Sequence, residues 1–301
     1  MAFNECGMDG ISALIERTEV YELAAPVRQT VAGLFASPHS GSDYRDDFLA
    51  QSRLDPVALR RSEDAFVDEI FQAAPRSGAP LLKALFPRAF VDPNREPWEL
   101  DPAMFSGPLP SYVNSRSPRV AAGLGTIARV VANGEEIYGR KLDFAEAARR
   151  IEQFYRPYHA ALQGLIERTR ERFGWCFLID CHSMPSIGGP MDRDPGMRRV
   201  DFVLGDCHGA SCGPALVETV ESYLAGLGYV VTRNLPYAGG YVTRHYGRPE
   251  RGVHALQIEL NRALYMDEER IERRPRLARL AAEMEGLIAT IAALDGAELA
   301  A

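Results

Sequence analysis

The chain has 301 residues, 46% hydrophobic and 25% charged, a globular mixture that excludes wholesale disorder, collagen-like repeats and a disulfide-framed miniprotein. Its net charge of −7 makes it a poor binder of phosphate backbones, because nucleic-acid affinity rests on Lys and Arg. The five cysteines (Cys6, Cys176, Cys181, Cys207 and Cys212) form no CxxC pair and read as small hydrophobes in a reducing compartment.

The N-terminus has neither a basic n-region nor an apolar h-region, and no run reaches the ~18 apolar residues of a membrane span, so a cytoplasmic chain is expected. Residues 10–25 read as helical at best. Residues 25–37 read as a strand, stopped by Ser37-Pro38-His39-Ser40-Gly41. Residues 45–75 carry two helical patterns; in the second, Ser62 and the acids after it resemble a capping arrangement, with Phe66, Ile70 and Phe71 at helical spacing. Residues 88–91 look strand-like, and 105–135 are rich in loops.

The strongest helical pattern follows, with Ala147, Ile151, Phe154, Tyr155, Tyr158, Leu162 and Ile166 on one face, a kink expected at Pro157 and a stop at Gly174. Residues 176–180 read as a short buried strand that leads into a loop carrying His182. A strand (DFVLGD), a helix (PALVETVESYLAGLG), a strand (YVVTRNLPY), a glycine loop (AGGYVTRHYGRPERG) and a strand (VHALQIELNRALY) come next, and the last ~35 residues read as a helix. Strands alternating with long helices predict one α/β domain over 1–301, with a core of about 25–270, a C-terminal helix of about 268–295, and a largely parallel sheet between helix layers.

In open α/β sheets ligands gather at the carboxyl ends of strands. Two expected strands end near His39 and His182, and a third contains Glu259, a set that suits a hydrolytic metal centre. Each has an ordinary alternative. His39 and His182 can be hydrogen-bonded loop residues, and Glu259 can pair with Arg262 or Arg244. Asp180 can orient His182 from behind or cap a turn. Asn94-Arg95 suits a carboxylate, or is a surface turn with a salt bridge. Gly239-Gly240 permits close backbone approach or a mobile lid, and neither a dinucleotide fingerprint nor a Walker motif is present.

Seven segments in order, from SPHSGSDY, RRSEDAFVDEIF and FPRAFVDPNREPWELDPAMF through LIDCHSMPS, DFVLGDCHG and NLPYAGGYVTRHYGRP to HALQIELNRALYMDE, resemble the N-formylglutamate amidohydrolase family. The resemblance implies a relative of zinc carboxypeptidases, succinylglutamate desuccinylases and aspartoacylases, with a three-layer α/β/α, phosphorylase/hydrolase-like fold and a mixed, mostly parallel sheet. Carried over, His39 and His182 are zinc ligands, Glu259 is the general base, and Asn94-Arg95 grips a substrate carboxylate. The HxxE spacing of the carboxypeptidases is missing, since Ser42 stands at the acidic position. The implied acidic ligand is then Asp64, with Glu63 and, more remotely, Asp43 as alternatives, or an acidic helix turn with no metal role.

The implied reaction is hydrolysis of the N-acyl amide of an acidic amino acid such as N-formylglutamate, with Arg119 assisting at the oxyanion and Arg244 and Tyr246 contacting or closing over a carboxylate. The expected partner is a small-molecule N-acyl amino acid, with neither nucleic acid nor membrane. Two rivals stand beside it: a zinc amidase or carboxypeptidase-like hydrolase for another N-acyl group, and a non-catalytic carboxylate binder.

Overall fold

The computed structural model describes residues 4–6, 13–190, 192 and 194–296. Nine strands form its main sheet: β1 (Asn4–Cys6), β2 (Ala13–Arg17), β3 (Tyr21–Pro26), β4 (Gly33–Ser37), β5 (Leu81–Ala84), β6 (Cys176–Met184), β7 (Phe202–Gly205), β8 (Val231–Arg233) and β9 (Val253–Asn261). They run in the order β1-β2-β3-β5-β4-β6-β9-β7-β8. The centre, β5-β4-β6-β9, is parallel. Antiparallel pairing joins β1, β2 and β3 to one side, and β7 to β9 on the other.

Helices cover both faces, as expected of an α/β/α molecule. Under one lie helices Pro214–Gly226 and Arg276–Ala292, which bury Leu216, Val220, Leu280 and Met284 against Ile179, Cys181, Leu256 and Ile258. The other face packs on the long helical segment. All seven of its expected apolar positions, Ala147 to Ile166, are buried. That segment is continuous but uneven: α-helix Phe144–Arg150, a π-helical turn Ile151–Tyr155, then α-helix Arg156–Phe173, closed by left-handed Gly174 at φ +82°. The π-turn lies just before Pro157, which has no N–H for the carbonyl four residues back.

Alternation along β6 and β9 places the polar end of the molecule. On the face toward the long helical segment, β6 presents Cys176 and Leu178, then Asp180 and His182; β9 presents Val253 and Ala255, then Gln257 and Glu259. The period of two carries each strand from apolar packing to polar groups at its carboxyl end. β6 therefore does not stop at Asp180. It pairs with β9 as far as Met184–Asn261, so His182 lies inside a strand beside Glu259.

Other expectations change. Residues 13–26 form strands β2 and β3 rather than helix, with each strand half-covered, and residues 10–12 lie outside the described residues. Residues 88–91 are a turn; the strand of that region is β5. The 45–75 region folds as three short helices, Asp46–Leu49, Pro56–Arg60 and Val67–Ile70. The glycine loop contains helix Tyr241–Tyr246. The C-terminal helix begins at Arg276, because a two-stranded hairpin, Met266–Asp267 with Glu272–Arg273, occupies the stretch before it. Cys176, Cys181 and Cys212 are buried, Cys207 is half-buried, and all four are free thiols; the Cys6 side chain lies outside the described residues. No described helix is long and apolar enough to cross a membrane.

Arg150 joins the long helical segment to the turn that carries Asp92. Its side chain is 1% exposed and donates to the Phe90 carbonyl at 3.1 Å, Tyr138 Oη at 2.6 Å, Gln51 Oε1 at 3.1 Å and Glu146 Oε1 at 2.7 Å. Arg150→Leu leaves those acceptors buried without a donor and is expected to destabilise the fold by about 3–5 kcal/mol, read from chemical denaturation.

Candidate active site

At the carboxyl ends of β4, β6 and β9, the ligand atoms of His39, Asp64 and His182 lie within 4.8 Å of one another, all buried. His39 follows β4, and its carbonyl accepts from the Asp64 N–H at 3.0 Å, so the backbone itself brings the carboxylate to the histidine. Asp64 Oδ2 faces His182 Nδ1 at 2.9 Å and His39 Nδ1 at 3.3 Å. Its other oxygen accepts from Arg262 Nη2 at 2.9 Å.

The far nitrogens of both imidazoles also have partners. His39 Nε2 donates to Asp92 Oδ1 at 2.7 Å. Asp92 is held in turn by the Asn94 N–H at 2.8 Å and Arg88 Nη2 at 2.7 Å. His182 Nε2 lies 2.9 Å from Asn94 Nδ2 and 2.9 Å from Asp180 Oδ1. One partner serves each tautomer: the amide donates when the ring proton is on Nδ1, and the carboxylate accepts when it is on Nε2.

Two buried atoms here have no hydrogen bond, His39 Nδ1 and Asp180 Oδ1. A cation among the three ligands answers both. It would take the His39 Nδ1 lone pair and, with the His182 Nδ1 lone pair also engaged, that ring's proton would sit on Nε2, toward Asp180. A carboxylate behind each ligating imidazole is the usual arrangement of metal-bound histidine. The residues therefore fit a divalent ion, and nitrogen and carboxylate donors suit zinc.

The charges agree. Burial raises the Asp64 carboxyl, but the adjacent His182 and His39 rings outweigh it and hold the group well below the usual carboxylate range. Burial also raises Asp92, and Arg88 and His39 overcome it. Burial lowers His182, yet Asp180 and Asp64 lift it well above an ordinary imidazole. Glu259 is pushed up to about 7, chiefly by burial, with Asp64 and Asp180 adding and His182 and Arg88 opposing. Its Oε1 accepts from Gln257 Nε2 at 2.8 Å. Neither Arg262 nor Arg244 pairs with it; Arg262 is bound to Asp64, Ser183 and the Arg61 carbonyl.

The triad opens into a cavity of about 640 Å3 whose lining includes five arginines, Arg88, Arg95, Arg119, Arg244 and Arg262. Arg95 is buried: Nε donates to the Leu124 carbonyl at 2.9 Å and Nη1 to the Asn94 carbonyl at 2.8 Å, while Nη2 makes no hydrogen bond. Burial, helped by Arg119 and Arg88 and opposed by Asp92, lowers it to about 10, so it remains cationic at neutral pH. Arg119 lines the cavity from helix Pro118–Ala121, and Arg244 donates to the Gly239 carbonyl at 3.2 Å.

Four other sequence candidates are engaged elsewhere. Asn94 Nδ2 faces Asp180 and His182, and its Oδ1 accepts from the Val242 N–H at 2.8 Å, so the amide supports the histidine instead of offering a donor to a substrate. A Cβ on Gly240 would come within 2.3 Å of that amide, which is the close approach the paired glycines permit. Tyr246 does not line the cavity. Its hydroxyl meets His159 Nδ1 at 2.8 Å, behind the Pro93-Asn94-Arg95 turn, and His159 Nε2 donates to the Pro93 carbonyl at 2.9 Å. Glu63 is bound to Arg60 and Asp43 is largely exposed, so neither is among the clustered ligand atoms.

Sequence reading gave no role to Asp92, Arg88, Gln257 or Tyr237, all of which line the cavity. For Gln257 the signal was present, since it alternates with Glu259 along β9.

The profile of the N-formylglutamate amidohydrolase family matches residues 31–266. N-formylglutamate deformylase of Pseudomonas putida is 32% identical over 243 residues, covering 78% of this chain and 82% of the relative. That of Pseudomonas aeruginosa is 32% identical over 246 residues, covering 80% and 85%. The crystal structure of N-formylglutamate amidohydrolase from Ralstonia eutropha JMP134 has a TM-score of 0.81 at 39% identity, over 91% of this chain and 98% of that one. A gene product of Agrobacterium tumefaciens, at 19% identity, shares the fold, with a TM-score of 0.57 over 87% of this chain and 91% of its own.

Metal analysis with circular dichroism tests the cluster. His182→Ala and Asp64→Asn are expected to lose bound metal while remaining folded. Asp180→Asn should weaken metal affinity about 10–100-fold, since it removes only the carboxylate behind the ring. Glu63→Gln should keep the metal; loss there would move the acidic ligand to Glu63.

Proposed function

The chain belongs to the N-formylglutamate amidohydrolase family, and from that premise we propose that it hydrolyses N-formylglutamate to formate and glutamate, with zinc held by His39, Asp64 and His182. The observation that carries the metal reading is the pair of orphaned buried atoms, His39 Nδ1 and Asp180 Oδ1, which a cation at the triad satisfies together.

When bound, zinc polarises the formyl oxygen and brings the pKa of a water toward ~7. Glu259 is the general base: it takes a proton from the attacking water and returns it to the departing amine as the C–N bond breaks. Gln257 fixes its Oε1. Arg88 lies 3.9 Å from Asp64 Oδ1, beside the clustered ligand atoms, whereas Arg119 lines the cavity from helix Pro118–Ala121. We therefore give Arg88 the place beside the developing oxyanion, and Arg119 a share with Arg95 in holding a carboxylate. Arg244 serves the second carboxylate. Asn94 and Tyr246 act through others, Asn94 by orienting His182 and Tyr246 by supporting His159.

Zinc-loaded protein assayed with N-formyl-, N-acetyl- and N-succinyl-L-glutamate tests the reading. N-formylglutamate is expected to be the best of the three. A preference for another acyl group would assign a different amidase, and binding without turnover a carboxylate-binding protein. Glu259→Gln should retain zinc and substrate binding while kcat falls by roughly 100-fold or more; an unchanged kcat would make Glu259 structural.

Arg95→Lys keeps the charge but loses the planar fork, and is expected to lower kcat/KM for N-formylglutamate by about 1.5–3 kcal/mol. A substrate whose contacted carboxylate is an amide should be poor for the parent protein and lose little more in the variant. Equal loss for both substrates would make Arg95 a support of the fold.

A further inference from the structure

The carboxylate grip and the metal cluster leave one wall of the cavity without a task. The lining there is aliphatic: Pro118, Ala122, Leu124, Val130, Val131 and Ala132. Its backbone polar groups are largely paired already. The Leu124 N–H donates to the Arg119 carbonyl at 2.8 Å, that of Val131 to the Glu135 carbonyl at 2.9 Å, and that of Ala132 to Ser62 Oγ at 3.1 Å, while the Leu124 carbonyl accepts from Arg95. The polar side chains of the stretch are engaged outside the cavity, Arg129 with Asp101 and Thr126 with the Glu96 carbonyl. The wall can engage a ligand only by apolar contact.

Placement indicates which part of a substrate meets the wall. Arg95 donates to the Leu124 carbonyl, and Arg119 lies between Pro118 and Ala122 in the chain. The aliphatic wall is thus the surface from which the carboxylate-holding guanidinium groups emerge. A side chain on the α-carbon, one bond from a carboxylate held there, would be within reach of it. The acyl carbon lies across the scissile bond, at the metal cluster.

We infer that the same site hydrolyses N-formyl amino acids with aliphatic or thioether side chains, such as N-formylleucine and N-formylmethionine. The inference rests on the reaction proposed above and widens its substrate class. The step is the same: the water oxygen bonds to the formyl carbon, the C–N bond breaks, and the water proton passes through Glu259 to the amine. Formate and the free amino acid leave, and no other reactant is needed.

The test measures amine release by zinc-loaded protein from the N-formyl derivatives of glycine, leucine, methionine and glutamate. The leucine and methionine substrates are expected to exceed the glycine substrate at least tenfold in kcat/KM. Leu124→Ser should reduce the leucine-to-glycine ratio at least threefold. A leucine substrate no better than glycine, in protein that turns over N-formylglutamate, overturns the inference and leaves the proposed reaction standing. Turnover of the leucine and methionine substrates without glutamate upholds the inference and overturns glutamate as the substrate. No turnover of any of them overturns both.

Discussion

A carboxylate buried without partners is too costly to keep ionised, and Asp64 is almost wholly buried. Its surroundings resolve that cost. His182 and His39 face one oxygen, and Arg262 donates to the other. The backbone N–H of the same residue is fixed to the His39 carbonyl, so the carboxylate cannot leave without breaking the turn that follows β4. Asp92 and Asp180 then hold the outer nitrogens of the two rings, and Arg88 with Asn94 hold those carboxylates. The site is a nested series of charges, each stabilised by the next one out. Its innermost member, Asp64, joins His39 and His182 in a buried group that could hold a metal ion.

Much of this could be read from the sequence, for a definable reason. His39, His182 and Glu259 belong to local patterns, strand followed by polar group, and the long helix declares itself by period. The seven family segments gave Asp64 as the acidic ligand and Glu63 as its alternative; Glu63 being tied to Arg60 explains why only one of two adjacent acids joins the cluster.

What could not be read depends on contacts between distant segments. Asp92 meets His39 across 53 positions, and Asn94 meets His182 across 88. No periodicity reports such pairings. The same limit explains Tyr246: helix Tyr241–Tyr246 turns it toward His159 on the long helix, a contact across 87 positions. The end of β6 was misplaced because its alternation changes from apolar to polar at Asp180, which looks like a loop unless β9 beside it makes the same change two residues at a time. The N-terminal strands were missed because they are only half-covered at one side of the sheet.

The arginine-lined cavity belongs to a chain of net charge −7. At physiological ionic strength fields fade over about 8 Å, so an anion approaching from solution meets a repelling or neutral surface until it is nearly at the mouth. Attraction begins only within the walls. Arg95 and Arg262 are buried whereas Arg119 and Arg244 are exposed, so a large acidic polymer can meet the outer guanidinium groups but not the inner ones. Size exclusion and charge act as successive filters, and the positive interior stays available to small anions.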